Sequence, residues 1–160
     1  MKHTISVLLM NKPGVLSRVT GLFSGRGFNI ESLAVAPTLD NDVSCLTLVT
    51  DGDDNIVEQI TKQLHKLIDV IKVTDMNEVE NVEREMALIR VKADSETRAE
   101  VLRTIDIFRG KVVDVSPKSY AVEITGTASK IQAVIDIFRP IGIQEIIRTG
   151  TIAMVRARKN

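Results

Sequence analysis

Residues 3–27 read HTISVLLMNKPGVLSRVTGLFSGRG, and this stretch decides the fold of the first half of the chain. The apolar run at its start contains β-branched residues and predicts a strand. After the turn NKPG, apolar residues recur at the spacing of one helix face, at Val15, Leu16, Val19, Leu22 and Phe23. Pro13 fixes the backbone of the turn, and the glycines Gly25 and Gly27 end the predicted helix.

The rest of the first half continues the alternation of strands and helices. A shift in apolar parity between Ile30 and Leu33 predicts a β-bulge in the second strand. The later elements are predicted as strands over 28–38, 43–51 and 69–76, with a helix over 55–66. The order is therefore βαββαβ, which is typical of a ferredoxin-like unit.

The second half repeats the same order of elements. REMALIRVKA at 84–93 predicts a strand, and KVVDVSPKSYAVEIT at 111–125 predicts a hairpin. Apolar stripes through Val101 and Ile131 predict the two helices, and IQEIIRTGTIAMVRA ends the chain. We predict an α+β protein with two ferredoxin-like βαββαβ sandwich domains in tandem, at 1–76 and 85–160, joined by a charged linker at 77–84.

Composition excludes several classes of function. The chain has 160 residues with 21 basic and 21 acidic side chains, so its zero net charge argues against a nucleic-acid partner. Its apolar runs are too short to span a bilayer, and the N-terminus lacks a signal pattern, so we predict no membrane association. The lone Cys45 excludes an internal disulfide and indicates a reducing, cytoplasmic location.

The residues that could carry catalysis do not form a recognisable constellation. The two histidines, His3 and His65, have no cysteine or second histidine at metal-ligand spacing. No nucleophile motif, zinc motif or phosphate loop is present. We therefore predict no catalytic residue and no metal site, and a chain that is not an enzyme by itself.

The turn at Asn11–Gly14 is the most informative candidate for a binding site. It leads into a helix N-terminus, where unpaired N–H groups and the helix dipole attract an anion. Gly14 allows close approach to the backbone, and the Asn11 side chain can meet both an ammonium and a carboxylate. These properties suit a zwitterionic amino acid, although an ordinary strand-to-helix turn explains the residues equally well. The corresponding stretch of the second half, DSETRAEVL, carries three acids that would repel a carboxylate.

Several segments together resemble one known family. The stretch SVLLMNKPGVLSRVTGLFSGRGFNIESLAVAPT at 6–38 is similar to the small, regulatory subunits of acetolactate synthase (acetohydroxyacid synthase). KQLHKLIDVIKV, FRGKVVDVSP and GTASKI continue the resemblance, which covers essentially the whole chain. It identifies 1–76 as an ACT regulatory domain and 85–160 as an ACT-like C-terminal domain.

The resemblance implies a function in branched-chain amino acid biosynthesis. Such a subunit binds the large catalytic subunit, raises its activity and confers feedback inhibition by a branched-chain amino acid, expected to be valine. The effector lies between two ACT domains of a homodimer that pairs its edge strands. On this sequence the implied effector-binding residues are Asn11, Gly14, Val15 and Leu16 of one protomer and Asn29 and Ile30 of the other. Thiamine diphosphate, magnesium and, in many relatives, FAD belong to the catalytic subunit, and this chain itself carries no cofactor.

Two other functions remain compatible with the residues. One is a free-standing amino-acid sensor or the ligand-binding part of a transcription regulator, because this fold serves many roles. The other is a small enzyme on a ferredoxin-like scaffold. Recovery of a large thiamine-dependent subunit in a pull-down distinguishes both from the regulatory subunit.

Overall fold

The computed structural model describes residues 1–158 and confirms the predicted α+β class with two ferredoxin-like units in tandem. In the first unit each predicted element is present, with bounds within two residues of those predicted for most of them. The strands are β1 (Lys2–Met10), β2 (Ile30–Pro37), β3 (Val43–Asp51) and β4 (Val70–Asp75), and the helices are α1 (Val15–Gly25) and α2 (Asp54–His65).

The first sheet has the strand order β2-β3-β1-β4, and its paired strands are antiparallel. β2 therefore lies at an edge, with one side of its backbone free for a further strand. The register of β2 against β3 shifts between Ile30 and Ser32, which confirms the predicted bulge. A bulge at an edge strand bends it locally and changes the direction of the neighbouring side chains.

One face of this sheet packs against both helices. α1 buries Val15, Val19 and Phe23, and α2 buries Val57, Ile60 and Leu64. These side chains meet the inward-facing residues of β1 and β3, which are Ile5, Val7, Leu9, Leu46 and Leu48. Burial of this apolar surface, at about 25 cal/mol per Å², stabilises the unit. The predicted helical stripe is largely right, although Leu16 remains 38% exposed.

Several residues on the opposite face of the first sheet are also buried or half-buried. Thr4, Thr47 and Val49 are buried there, and Cys45 is half-buried beside the hydroxyl of Ser6. A short final strand, β9 (Ile152–Val155), contacts β3.

The second unit has the same plan. Its elements are β5 (Asn81–Lys92), α3 (Arg98–Ile107), β6 (Lys111–Val115), β7 (Ser119–Gly126), α4 (Ala128–Ile141) and β8 (Ile143–Arg148), with the strand order β6-β7-β5-β8. Both helices pack on one face around Ile89, Val122 and Phe138. A hydrogen-bonded ion pair joins Glu85, which is buried, to Arg148, and this hydrogen bond raises the pKa of the arginine.

The segment predicted as a linker at 77–84 has regular structure. A 3-10 helix spans Met76–Glu78, and β5 begins at Asn81. The division between the units falls inside this segment, between Val82 and Glu83. Residues 151–158 belong to the first unit, whereas the sequence placed them in the domain at 85–160. The physical reason is long-range contact within the first unit: β9 contacts β3, and the N–H of Arg156 donates to the carbonyl of Glu80 at 2.8 Å.

No helix in residues 1–158 is both long enough and apolar enough to cross a membrane.

Candidate functional site

The loop that joins β1 to α1 is held in place by the β2–β3 turn. The N–H of Asn11 donates to the carbonyl of Asp42 at 2.8 Å, and its side-chain Nδ2 donates to the carbonyl of Asn41 at 2.9 Å. These two bonds fix the side chain, and its Oδ1 atom has no hydrogen-bond partner within residues 1–158. Asn11 is solvent-exposed, so this acceptor is available to a ligand.

Gly14 is the residue that caps the N-terminus of α1, and it lies in the left-handed region with φ of +86°. No side chain caps the helix, and its first turn contains no acidic residue. In the described part of the chain, the N–H groups of Gly14, Leu16 and Ser17 have no acceptor. Unsatisfied N–H groups together with the helix dipole favour a bound anion at this point.

The side chains beside this helix N-terminus divide into core and surface. Val15 is only 3% exposed and packs in the core, so it can offer a ligand only its backbone. The N–H of Val15 makes a long hydrogen bond of 3.4 Å to the carbonyl of Lys12. Leu16 is 38% exposed and places apolar surface beside the unpaired N–H groups.

The other two predicted site residues lie at the start of the edge strand β2. The backbone carbonyl of Asn29 accepts a hydrogen bond of 2.7 Å from the hydroxyl of Thr50, and the Asn29 side chain is exposed. Ile30 is half-buried and pairs with Thr50 of β3, which pairs in turn with His3 of β1.

This register separates the two groups of predicted site residues within one chain. His3 of β1 and Ile30 of β2 pair with the same residue, Thr50, so they lie at the same end of the sheet. Met10, which precedes Asn11, lies seven residues further along β1 than His3. At a rise of about 3.3 Å per residue, Met10 is roughly 23 Å from His3 along the strand. A single chain therefore does not bring Asn11 and Gly14 together with Asn29 and Ile30.

Sequence reasoning missed one polar cluster at the opposite end of β1. His3 is 3% exposed, and no role was predicted for it. In the described part of the chain, both its ring nitrogens lack a hydrogen-bond partner. Carboxylates of Asp54 and Asp75 lie on its two sides. The alternation of β1 contains the signal, because His3 shares parity with the inward-facing Ile5, Val7 and Leu9.

Comparison with known proteins gives a consistent result over the whole chain. Residues 5–72 match the family described as an AHAS small subunit-like ACT domain, and residues 84–157 match the family described as the small subunit of acetolactate synthase. A probable acetolactate synthase small subunit of Archaeoglobus fulgidus is 55% identical over 159 residues, covering 99% of each chain. An acetolactate synthase small subunit of Haemophilus influenzae is 50% identical and covers 100% of this chain and 99% of its own.

A solved structure gives the same result. The crystal structure of the acetolactate synthase small subunit from Thermotoga maritima superposes with a TM-score of 0.89 at 43% identity, and 99% of each chain is covered. The fold of both units therefore matches that of this relative along its full length.

Proposed function

This chain belongs to the family of acetolactate synthase small subunits, and we propose from this membership that it regulates the catalytic subunit of that enzyme. It has no catalysis of its own. It binds the large subunit, raises its activity and makes it sensitive to feedback inhibition by a branched-chain amino acid, with valine as the expected effector. Thiamine diphosphate, magnesium and, where present, FAD are held by the large subunit, and the assembly acts in the cytoplasm.

The observation that supports an effector site best is the register of the first sheet. The predicted site residues lie at opposite ends of that sheet, and β2 is an edge strand. If the β2 strands of two copies pair antiparallel across a two-fold axis, the start of one strand meets the end of the other. Pro37 at the end of β2 pairs with Ser44, close to Met10, so the partner's Asn29 would come beside the Asn11–Gly14 loop.

The chemistry at this seam suits an amino acid. The carboxylate is bound by the unpaired N–H groups of Gly14 and Leu16, where the helix dipole adds to the attraction. The ammonium is met by the free Oδ1 of Asn11 and by the side chain of the partner's Asn29. Apolar surface of Leu16 and of the partner's Ile30 receives the branched side chain.

Regulation follows from binding between two copies. An effector that contacts both protomers stabilises the dimer geometry in which those contacts are best, and it shifts the equilibrium by its differential affinity. A coupling free energy of about 1–3 kcal/mol changes affinity roughly 5- to 150-fold, which is sufficient for marked inhibition.

Reconstitution tests this function directly. The purified chain with thiamine diphosphate and magnesium should form no acetolactate from pyruvate, and it should raise the turnover of the large subunit when added back. Valine, leucine and isoleucine are then titrated into the complex. Acetolactate formed by the chain alone would contradict the proposal, and failure to bind the large subunit while still binding an amino acid would indicate a free-standing sensor.

A further inference from the structure

A pocket lies in the first unit, away from the β1–α1 loop. It has a volume of about 640 Å³ and opens between α2, β4 and the 3-10 helix. We call it the His3 pocket, and its charged and titratable side chains include His3, Asp54, Glu58, Lys62, Asp75 and Glu78. None of these residues belongs to the proposed effector site.

His3 is the unusual member of this pocket. Its side chain is 97% buried, yet neither ring nitrogen has a hydrogen-bond partner among residues 1–158. Nδ1 lies 3.3 Å from a carboxylate oxygen of Asp75, and Nε2 lies 3.6 Å from a carboxylate oxygen of Asp54. A buried polar group without a partner gives up its hydrogen bonds to water and gains none in return, which costs free energy. Such a group in a folded protein therefore requires an explanation.

The charges that line the pocket determine whether it attracts a cation or an anion. Lys62 is paired with Glu58 at 2.7 Å, which lowers the pKa of that glutamate, and the N-terminal ammonium of Met1 is paired with Asp51 at 2.9 Å. Within residues 1–158, Asp54, Asp75 and Glu78 have no lysine or arginine partner. The positive end of α2 is already met by Asp53, which accepts the N–H of Ile56. An anion would therefore be repelled, and a cation would be attracted.

The arrangement of the imidazole specifies the kind of cation. Nε2 of His3 and a carboxylate oxygen of Asp54 lie 3.6 Å apart, so one N–H-bearing group can reach both atoms. We propose that the His3 pocket binds an organic cation with N–H donors, an ammonium or a guanidinium, which donates to Nε2 and to the Asp54 carboxylate.

The same geometry argues against a metal ion. The two carboxylates lie against opposite nitrogens of one ring, so they do not converge on a single ion with that ring. No group of three or more histidine, cysteine, aspartate or glutamate side chains in the described residues is arranged to hold a metal. An N–H-bearing cation needs only one or two well-placed acceptors, which this pocket supplies.

Nitrogen NMR of the full-length protein tests the proposal. The chain has only two histidines, so ¹⁵N-histidine labelling reports His3 in the pocket and His65 as an internal control. The probes are putrescine, as a free diamine, and N-acetyl-lysine methylamide, as a mimic of a side chain from a partner protein, both at constant pH and ionic strength. We expect the His3 ring nitrogens to shift saturably while those of His65 do not.

Matched variants assign the effect to the two carboxylates. Asp54→Asn should weaken binding about 10-fold, because it removes the charged acceptor next to the ligand. Asp75→Asn should weaken it less, because that carboxylate lies at the other nitrogen of the His3 ring. Asn77 N–H currently donates to Asp75, and asparagine keeps an acceptor for this bond. Asp40→Asn, an exposed acid in the β2–β3 turn, is the control and should leave binding unchanged.

The outcomes separate the possible occupants. Saturation by putrescine alone supports a free amine, and equal saturation by the lysine mimic supports a side chain of a partner. Equal shifts of His3 and His65, or no saturation by any cation, would overturn the proposal. It would also be overturned if His3 carries protons on both nitrogens at neutral pH and ignores the probes, or if magnesium chloride reproduces the shift at the same concentration.

Discussion

The two units place very different loops at the same point of one fold. Asn11–Gly14 joins the first strand of the first unit to its first helix, and residues 94–97 make the corresponding connection in the second unit. The carboxylate of Asp94 satisfies N–H groups of its own loop: its Oδ1 accepts hydrogen bonds from the N–H groups of Glu96 at 2.9 Å and Thr97 at 3.0 Å. The first of these bonds is the main cause that lowers the pKa of Asp94.

The loop of the first unit has no such internal anion. Gly14 offers no side chain, and the N–H groups of Gly14, Leu16 and Ser17 have no acceptor in the described residues. A βαββαβ unit can therefore either satisfy its first helix N-terminus with its own carboxylate or leave N–H groups there without an acceptor. The effector binding that we propose for the first unit depends on this loop and not on the fold.

Gly14→Asp should have the largest effect, because it gives the first loop the negative charge that the second loop has. An aspartate about 4 Å from the effector carboxylate costs about 4 kcal/mol at an effective dielectric of 20, or roughly 1000-fold in affinity. Feedback inhibition should be abolished while activation of the large subunit survives. The measurement is inhibition of the reconstituted enzyme by valine, leucine and isoleucine.

Gly14→Asn is the matched control for this change. Because φ is +86°, any side chain at this position costs about 1 kcal/mol of backbone strain, but a Cβ atom there meets no neighbour within 4 Å. Asparagine has the same shape and strain as aspartate and carries no charge. If both variants lose inhibition equally, strain and not charge is responsible, and the comparison of the two loops fails.

Asn29→Ala should have a smaller effect in the same direction. It removes side-chain hydrogen bonds of about 1–3 kcal/mol to the effector and adds no charge, so inhibition should weaken roughly 5- to 150-fold. In this variant the backbone carbonyl at position 29 can still accept the hydrogen bond from the hydroxyl of Thr50, so we expect the beginning of β2 to be unchanged. An unchanged inhibition curve with an intact dimer would exclude the edge strand from the site.

Asp94→Ala should leave inhibition unchanged and affect only the stability of the second unit. The folded-state pKa of Asp94 lies below its ordinary value of 3.8, so its stabilising contribution is present above that pH and is lost as the pH falls through the folded pKa. Denaturant unfolding should show the variant less stable than the wild type near pH 7. The difference should shrink below about pH 4, and a constant difference would contradict this origin.

Much of this architecture follows from local pattern. The strands β1 to β4 and the bulge near Ile30 were predicted correctly because apolar parity and turn residues are visible within a few positions. Thr127 and Ser129 both have side chains typical of an N-cap at the start of α4, and the structure shows that Thr127 is the cap, because it accepts the N–H of Lys130. Residue type does not distinguish the two as N-cap, because the choice depends on the residue at which the helix begins.

Long-range contacts explain what the sequence did not predict. The segment at 77–84 has little apolar pattern and was interpreted as a linker, but pairing with β9, which lies about seventy residues later, makes its end a strand. The surroundings of His3 depend on Asp54 and Asp75, which lie about fifty and about seventy residues later in the sequence. The six effector residues remain predictions, since their meeting requires a second copy of the chain.

The central claim is that each effector site combines the Asn11–Gly14 loop of one protomer with β2 of its partner, and a mixed dimer tests it most directly. A Gly14→Asp chain and an Asn29→Ala chain, each with its own affinity tag, are combined and the mixed dimer is purified by both tags. If the site is shared, one of the two sites combines two wild-type halves, so calorimetry should detect one tight valine site per mixed dimer, with weak or no binding in either homodimer. If each site lies within one chain, both sites of the mixed dimer carry a substitution, and failure to recover the tight site would contradict the account.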